Sequence, residues 1–481
     1  MTDPPTAAPG LIARLLGRLT GDRGRLPSAM DQLRGSDTAK AAGLAGAMIA
    51  NNVIALVSTI VFARLLSDNQ GGGYGALAAL ISYFLILSVV GQALQVATAR
   101  EGALGELGVG HGLVDTVRRW TRGLLALTVL LTIVSVLARA PIADAVGVRH
   151  DRWAAALGLP AAGLWLELSV LRGVLQGAGD YKGVGLSLIG EQAARLICGA
   201  VLAAAGLGVA GAYLGTPLSF IAMGLYCGHR LMRRVRELDA TQPEAADVAG
   251  TAPGLWMHVR RAWAPIWGLI VIAVLQNIDI IAAKHRFQTH VDSSYAAVAV
   301  AAKVLIWVAM GAGFYLVPEV SRRRAEGADP RPILARALGI VAVCAIPVLL
   351  IYAFASHILI KLAFGASKTS ASGSLLVLGL AFAVLACTYL AVQYLLALRR
   401  TWFLVGVSAI AVAEPIMLLN ASHQPTSFAA VVLAVQAAGA LLAFAFALAP
   451  DRSPRAPDRP GTPGSGERPL GRGSERVPEP A

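Results

Sequence analysis

The sequence predicts an all-α integral membrane protein with about 12 transmembrane helices in two six-helix lobes. Of its 481 residues, 56% are hydrophobic and 14% are charged, whereas a soluble globular chain carries about 25% charged residues. The apolar residues are concentrated in runs of about 20 residues, which is the length that a helix needs to cross a bilayer. A polar, charged stretch divides these runs into two equal sets.

The apolar runs define two lobes and the link between them. The predicted N-lobe, residues 41–231, holds runs at about 41–66, 73–98, 118–138, 152–176, 183–206 and 208–231. The predicted C-lobe, residues 262–450, holds runs at about 262–285, 294–318, 332–355, 374–398, 401–421 and 425–450. Residues 232–261 are polar and charged, and we expect them to form a cytoplasmic linker.

Two terminal segments lie outside the lobes. In residues 1–40, the stretch 11–19 places Arg14 and Arg18 among apolar residues at helical spacing, which fits a short amphipathic helix on the headgroups. A disordered basic leader fits the same residues. Residues 451–481 contain mainly Pro, Gly, Ser, Arg and Glu, and this composition predicts a disordered cytoplasmic tail.

The basic residues predict the orientation. The net charge is +13, and most Lys and Arg residues lie in segments that a cytoplasmic N-terminus would keep inside. We therefore expect both termini in the cytoplasm of a bacterium and the helices in its plasma membrane. Because the arginines lie in short loops between apolar runs and not on one soluble face, they do not predict nucleic-acid binding.

The two lobes also resemble each other internally. Residues 73–100 align by eye with residues 294–322, with Tyr74 opposite Tyr295 and Arg100 opposite Arg322. Repeats with an even number of helices share one orientation, so their axis runs along the membrane normal. Substrate sites of transporters commonly lie between such repeats near the midplane, which predicts a central cavity between the lobes.

Two opposite charges lie within adjacent runs of the C-lobe. A charge in lipid costs at least about 2.5–3.5 kcal/mol, so such residues usually face a cavity or a partner. Lys303 is our first candidate for contacting an anionic substrate, and Asp279 is a candidate for ion coupling. The alternative is a structural pair, because a lysine stem can bridge the gap to Asp279 on the neighbouring helix.

Further ionisable residues lie within other runs. Arg195 and Glu191 are one helical turn apart, so they either pair within the helix or present Arg195 to the cavity as a phosphate ligand. Glu167 and Glu414 are lone carboxylates in apolar surroundings, which makes them and Glu191 candidates for ion coupling. The four cysteines lack metal-ligand spacing, and we expect no metal site.

Several motifs together resemble the polysaccharide-biosynthesis flippases, which transport lipid-linked oligosaccharides. The order Gln276-Asn277-x-Asp279, polar turn, Tyr295 and Pro318-x-x-Ser321-Arg322 is similar to the seventh and eighth helices of that family. The segment from Ala63-Arg64 to Gly73-Tyr74-Gly75 resembles its first hairpin. These flippases share a superfamily with the MATE exporters and the lipid II flippases.

The resemblance implies a MATE-like fold, alternating access and a substrate on a polyprenyl-diphosphate carrier. It adds Asn277 and Arg64 to the candidate substrate-binding residues, with anchoring of a helix end as the alternative for Arg64. Asn52, a polar residue within a span, is a further candidate. The implied partners are the lipid-linked glycan, membrane lipids and other polysaccharide-assembly proteins. The sequence contains no nucleotide-binding, zinc or nucleophile motif, so we expect a transporter without a cofactor and not an enzyme.

Four alternatives stay open. A MATE-like cation-coupled exporter would favour a carboxylate-rich cavity, which fits poorly with Lys303 and Arg195. A lipid II flippase would carry arginines where Asn51 and Asn52 lie. A membrane glycosyltransferase or polymerase would need a large outer loop, and the outer loops here are short. A scaffold that has lost transport would retain partner binding alone.

Overall fold

The protein is represented by a computed structural model, which describes residues 37–66, 73–241, 247–248, 257, 260 and 263–449. The predicted amphipathic helix at 11–19 and the predicted tail at 451–481 lie outside these residues. The described residues are nearly all helical and form one compact unit up to Ala447.

The N-lobe contains eight helices. They are α1 (Asp37–Leu65), α2 (Gly73–Ala103), α3 (His111–Leu137), α4 (Arg139–Val146), α5 (Arg152–Ala156), α6 (Gly158–Gly177), α7 (Tyr181–Leu202) and α8 (Gly208–Thr241). A π-helical turn, Ala203–Leu207, joins α7 to α8. Strand β1 (Val109–Gly110) pairs antiparallel with β2 (Asp247–Val248), so part of the predicted linker contacts the turn after α2.

The C-lobe contains seven helices. They are α9 (Trp263–Arg286), α10 (Thr289–Ala302), α11 (Val304–Ala325), α12 (Arg331–Phe364), α13 (Leu375–Ala397), α14 (Phe403–Leu419) and α15 (Pro425–Leu448). Two 3-10 turns, Ala366–Lys368 and Ser372–Ser374, connect α12 to α13. The run predicted as one helix at 294–318 is interrupted at Lys303, where α10 ends and α11 begins.

The helices confirm the predicted fold class. Ten segments of the described chain are long and apolar enough to span a membrane. One of them, Tyr181–Glu237, contains both α7 and α8, and α14 is a further apolar helix of 17 residues. Each of the twelve predicted runs therefore corresponds to a helix or a helix pair in the described residues. The chain is a multi-pass membrane protein.

Glycine allows α2 and α6 to pack closely in the N-lobe. A Cβ on Gly177 would lie 2.7 Å from Gly102 Cα, and a Cβ on Gly173 would lie 2.6 Å from Gln95 O. Small residues permit close approach of helix backbones within a membrane, where van der Waals packing drives helix association. The aromatic rings of Phe84, Trp165 and Phe220 then join α2, α6 and α8.

The turn between α6 and α7 is held by a carboxylate outside the spans. Asp180 accepts a hydrogen bond from Gly183 N–H at 3.0 Å, which caps α7, and pairs with Arg230 of α8 at 2.8 Å. Burial opposes the ionisation of Asp180, but the hydrogen bonds from Arg230 and Gly183 outweigh it and hold the pKa of this carboxyl below its usual value.

The close packing of α2 on α6 is tested by substituting Gly173. We expect Gly173→Val to destabilise the protein by about 1–3 kcal/mol, because the new side chain would meet the α2 backbone. The thermal unfolding temperature of purified protein measures this change. Gly123→Val is the matched control, since no atom lies within 4 Å of a Cβ placed there. Equal losses in both variants would contradict the packing argument.

Candidate functional site

The N-lobe holds a buried cluster of three charges. Arg172 of α6 and Arg195 of α7 both bind Glu191 of α7, at 2.9 Å and 2.7 Å respectively. Arg172 also donates from Nε to Ser187 Oγ and from Nη2 to Ser187 O, each at 2.8 Å. The predicted pairing of Arg195 with Glu191 is confirmed. We call Arg172, Ser187, Glu191 and Arg195 the N-lobe cluster.

Arg172 is a residue that sequence reasoning missed. It lies near the end of α6, and its side chain is fully buried. The signal that could have found it is its place within the run 152–176, where an arginine needs a partner. Glu191, predicted as an ion-coupling residue, is the carboxylate that both arginines share.

The N-lobe cluster contains two arginines and one carboxylate, so it carries one surplus positive charge. Its most exposed member is an arginine. Arg195 retains 16% exposure of its side chain, whereas Glu191 retains 5% and Arg172 none. Arg195 also lies over the ring of Phe220 at 5.5 Å, and Arg172 lies over Trp165 at 5.7 Å. These rings hold the guanidinium groups by cation–π attraction while leaving Arg195 accessible.

The C-lobe holds a second buried cluster. Lys303 Nζ lies 3.2 Å from Asp279 Oδ1, so the predicted pair is formed. The hydroxyl of Tyr295 lies 3.4 Å from Asp279 Oδ2, and Lys303 also lies over the ring of Phe382 at 5.3 Å. The break between α10 and α11 brings Lys303 to this position. Lys303 retains 9% side-chain exposure and Asp279 none.

A second carboxylate belongs to the same cluster. Glu414 of α14 is fully buried and accepts a hydrogen bond from Gln436 Nε2 of α15 at 3.1 Å. Gln436 also donates to Leu275 O at 3.0 Å. Glu414 interacts electrostatically with both Asp279 and Lys303. We call Asp279, Tyr295, Lys303, Glu414 and Gln436 the C-lobe cluster.

The remaining predicted residues belong to neither cluster, and two of them form hydrogen bonds within their own helix. Asn277 is buried and donates to Ala273 O of its own helix at 2.9 Å. Asn52 is partly buried in α1 and accepts from Asn51 at 3.3 Å. Glu167 is partly buried on α6. Arg64, at the end of α1, donates to Ala363 O of α12 at 3.1 Å.

The contact of Arg64 is part of a seam between the lobes. Gly75 N–H at the start of α2 donates to Ser293 Oγ of α10 at 3.1 Å. His285 Nε2 lies 3.0 Å from Ala145 O. Because consecutive spans alternate in direction, these helix ends lie on the same side of the membrane. We call Arg64, Gly75, Ala145, His285, Asp292, Ser293 and the carbonyls of Leu362 and Ala363 the end seam.

Two seam contacts place a charge of one lobe at a helix end of the other. Asp292 pairs with Lys284. Its carboxylate lies 2.7 Å from the position that a Cβ on Gly75 would occupy, and is therefore next to the positive N-terminus of α2. Arg64 binds the last carbonyls of α12, the negative end of that helix. Such charge–dipole contacts contribute about 0.3–1 kcal/mol each, and more when buried. They favour the closed seam.

The arrangement offers surplus charge and no metal site. Among the described residues, no group of three or more His, Cys, Asp or Glu side chains is placed to hold a metal ion. In the described residues, Arg195 is a partly exposed cation, whereas Lys303, Asp279 and Glu414 are buried.

Solved structures of several transporters share the fold of this chain. A multidrug resistance MATE family transporter of the MOP superfamily, in an inward-facing conformation, matches with a TM-score of 0.66 at 14% identity, covering 82% of this chain and 93% of that chain. The lipid II flippase MurJ, in an inward closed conformation, matches with a TM-score of 0.63 at 12% identity, covering 84% and 87%. The chain has a MATE-type transporter fold.

A eukaryotic MATE transporter, AtDTX14, shares the fold with a TM-score of 0.59 at 14% identity, over 86% of this chain and 96% of that chain. No protein-family model and no curated protein sequence matches the chain. The MATE-type fold implied by the resemblance of the hairpin motifs is thus confirmed, whereas the assignment to the polysaccharide flippases stays a prediction.

The N-lobe cluster is tested by neutralising its shared carboxylate. We expect Glu191→Gln to destabilise the protein by about 3–5 kcal/mol, because two arginines would remain buried without a counter-charge. The unfolding temperature measures the loss. Glu237→Gln is the control, since this residue is half-exposed and its ion pairs contribute about 0–1 kcal/mol. Equal behaviour of the two variants would contradict the cluster.

The end seam is tested by enlarging Gly75. We expect Gly75→Val to displace Asp292 and open the seam, because no Cβ fits beside that carboxylate. A cysteine at Ala76, which is 1% exposed, should then react with a membrane-impermeant maleimide. The background carries serine in place of the native Cys198, Cys227, Cys344 and Cys387. Continued protection of the cysteine, as in a Gly123→Val control, would contradict the seam.

Proposed function

We propose that the protein is a flippase that moves a polyprenyl-diphosphate-linked oligosaccharide across the bacterial plasma membrane by alternating access, for the synthesis of a cell-surface polysaccharide. One observation carries the proposal. The most exposed member of each buried charged cluster is a cation, Arg195 in the N-lobe and Lys303 in the C-lobe. A cavity that presents these two cations attracts an anionic headgroup and repels a cationic drug.

The two cations suit a diphosphate in different ways. Arg195 presents a planar guanidinium that can bind two phosphate oxygens side by side, and Glu191 and Phe220 limit its movement. Lys303 offers a point charge on a flexible stem, so it can leave Asp279 for a stronger anionic partner. Arg64 is engaged in the end seam, which makes it a gating residue in this proposal and not a phosphate ligand.

The end seam supports a substrate path. With cytoplasmic termini, the end of α1 and the start of α2 and α10 lie on the external side. The closed seam then blocks the outside and leaves the inner side for loading from the cytoplasmic leaflet. Opening of the seam would release the headgroup outside. The packing of Asp292 and Ser293 on Gly75 supplies a contact that can break and re-form during this cycle.

The alternatives differ in substrate and not in fold. The MATE transporter and MurJ match the chain almost equally, with TM-scores of 0.66 and 0.63. A MATE-like exporter of cationic compounds is disfavoured by the charge of Arg195 and Lys303. A lipid II flippase would recognise the same diphosphate group. The two functions are therefore distinguished by the glycan on the lipid that accumulates in cells without the protein.

The function is tested in cells that lack the protein. We expect polyprenyl-linked oligosaccharide to accumulate in the cytoplasmic leaflet, and the wild-type protein to reverse this. Accumulation of lipid II alone would favour the lipid II flippase. Absence of any accumulation, together with new sensitivity to cationic compounds, would favour an exporter and refute the proposal.

The two cations are tested in the same cells. We expect Arg195→Ala to lower transport about tenfold or more, because a charge-assisted contact is worth about 1.5–3 kcal/mol. The double variant Asp279→Asn/Lys303→Met removes both members of the pair, so a loss of transport there, with Asp279→Asn alone still active, would assign Lys303 to the substrate. Full transport by the double variant would make the pair structural. Arg233→Ala, at an exposed site, is the control and should retain transport.

A further inference from the structure

The turn between α13 and α14 has an arginine in a backbone conformation that favours glycine. Arg399 has a φ of 54°, and it is the one non-glycine residue of the described chain with a positive φ. Its N–H donates to Leu396 O at 2.9 Å, and the N–H of Arg400 donates to Leu395 O at 3.0 Å. These two bonds end α13 in a Schellman turn, whose left-handed residue is usually glycine because a Cβ is strained there.

The turn between α6 and α7 in the N-lobe shows the same pattern with the usual residue. Gly179 has a φ of 77°, and its N–H donates to Gln176 O at 3.1 Å. The N–H of Asp180 donates to Leu175 O at 2.8 Å. The C-lobe thus has arginine where the N-lobe has glycine. A side chain that is kept in spite of backbone strain indicates a role for that side chain beyond the fold.

The guanidinium group of Arg399 is available at the surface. It is exposed, and among the described residues it forms no hydrogen bond or ion pair. Two further arginines reach the same turn from other directions. Arg324 of α11 donates to Leu398 O, and Arg400 donates to Phe446 O of α15 at 3.0 Å. Three guanidinium groups therefore meet at this turn.

The acidic residues at this end of α11 are engaged by other arginines. Glu319 pairs with Arg322 at 2.7 Å and with Arg323 at 3.4 Å. Glu326 pairs with Arg322 at 2.7 Å. Neither carboxylate forms an ion pair with Arg399 in the described structure. The turn is therefore a surface site with a positive potential, which attracts an anion.

An apolar face of α14 begins at the same turn. Five residues on it are exposed and follow one another at helical spacing, namely Trp402, Val405, Ala409, Val412 and Ile416. Trp402 is 82% exposed, and tryptophan is enriched at the level of the lipid headgroups. Trp267 of α9 donates from Nε1 to Ser408 Oγ at 2.9 Å and lies along one edge of this face. The face leads from the arginines into the membrane, as an acyl chain leads from its headgroup.

We propose that the α13–α14 turn binds an anionic phospholipid of the surrounding leaflet, with its phosphate at Arg399 and an acyl chain along the exposed face of α14. The planar guanidinium can bind two phosphate oxygens, and Arg324 and Arg400 add positive potential. A soluble anion would use the arginines without the apolar face. A zwitterionic lipid would bring its own ammonium group to the same positive site. An anionic phospholipid matches both features.

The site is tested with the full-length protein purified in an uncharged detergent. Phosphatidylglycerol with brominated acyl chains is added, and the quenching of tryptophan fluorescence measures binding. Phosphatidylcholine with the same chains is the comparison lipid. The chain has eight tryptophans, so the signal from the site is the difference between the wild type and Trp402→Phe. We expect this signal to reach half its maximum at a lower fraction of phosphatidylglycerol than of phosphatidylcholine. Equal fractions would overturn the proposal.

The charge of Arg399 is tested by Arg399→Gln, which retains the backbone strain. We expect the half-maximal fraction of phosphatidylglycerol to rise about fivefold, because a basic residue near an anionic lipid surface is worth about 1 kcal/mol. Arg118→Gln removes an exposed arginine of α3 on the same side of the membrane, and this control should stay within about twofold of the wild type. An equal effect of the two variants would assign the preference to overall charge and overturn the site.

Arg399→Gly separates backbone strain from lipid binding. Glycine adopts a positive φ without strain, so we expect a higher unfolding temperature than the wild type when no lipid is added. Binding of phosphatidylglycerol should nevertheless weaken as in Arg399→Gln. An unchanged preference for phosphatidylglycerol in Arg399→Gly would overturn the proposal.

Inorganic phosphate distinguishes a lipid site from a site for a soluble anion. At constant ionic strength, added phosphate should leave the bound phosphatidylglycerol in place, because the acyl chain also contributes to binding. Release of the lipid by phosphate would assign the turn to a soluble anion and overturn the proposal. No step of these tests involves the lipid-linked oligosaccharide, so the lipid site and the proposed flippase function can fail independently.

Discussion

The pairing of buried charges is the constraint on which the rest of this structure depends. An arginine or lysine within an apolar span is stable when a neighbouring helix supplies a carboxylate, because lipid offers no solvation. Arg172 therefore ties α6 to α7 through Glu191 and Ser187, and Lys303 ties the α10–α11 junction to Asp279 on α9. These pairs fix the rotation and depth of the helices that carry them.

The pairing of charges is incomplete in each of the two clusters. The N-lobe cluster has one cation too many, and the accessible part of that surplus is Arg195. The C-lobe cluster has one carboxylate too many when both are ionised, and the surplus is buried at Glu414. The surplus in the N-lobe is thus positive and partly exposed, whereas the surplus in the C-lobe is negative and buried.

The end seam connects the two lobes at one end of their helices. Its contacts join helix ends of the two lobes through Gly75, Ser293, Arg64 and the last carbonyls of α12. Next to these polar contacts, α2 also packs along α9 and α10, so opening of the seam would separate apolar helix faces as well. In the proposed function, a substrate that binds one conformation more tightly than the other would shift the balance between a closed and an open seam.

The sequence by itself determined the membrane class and the twelve apolar runs, and it offered Glu191–Arg195 and Asp279–Lys303 as pairs beside a cavity-facing alternative. Hydropathy and helical spacing are local properties, so they can be read without knowing which helices meet. Only the tertiary structure decided that Arg172 completes the N-lobe cluster, that Gln436 faces Glu414, and that Arg64 lies in the seam. These contacts join residues that are up to 299 positions apart, and which distant helices touch depends on packing and not on local pattern.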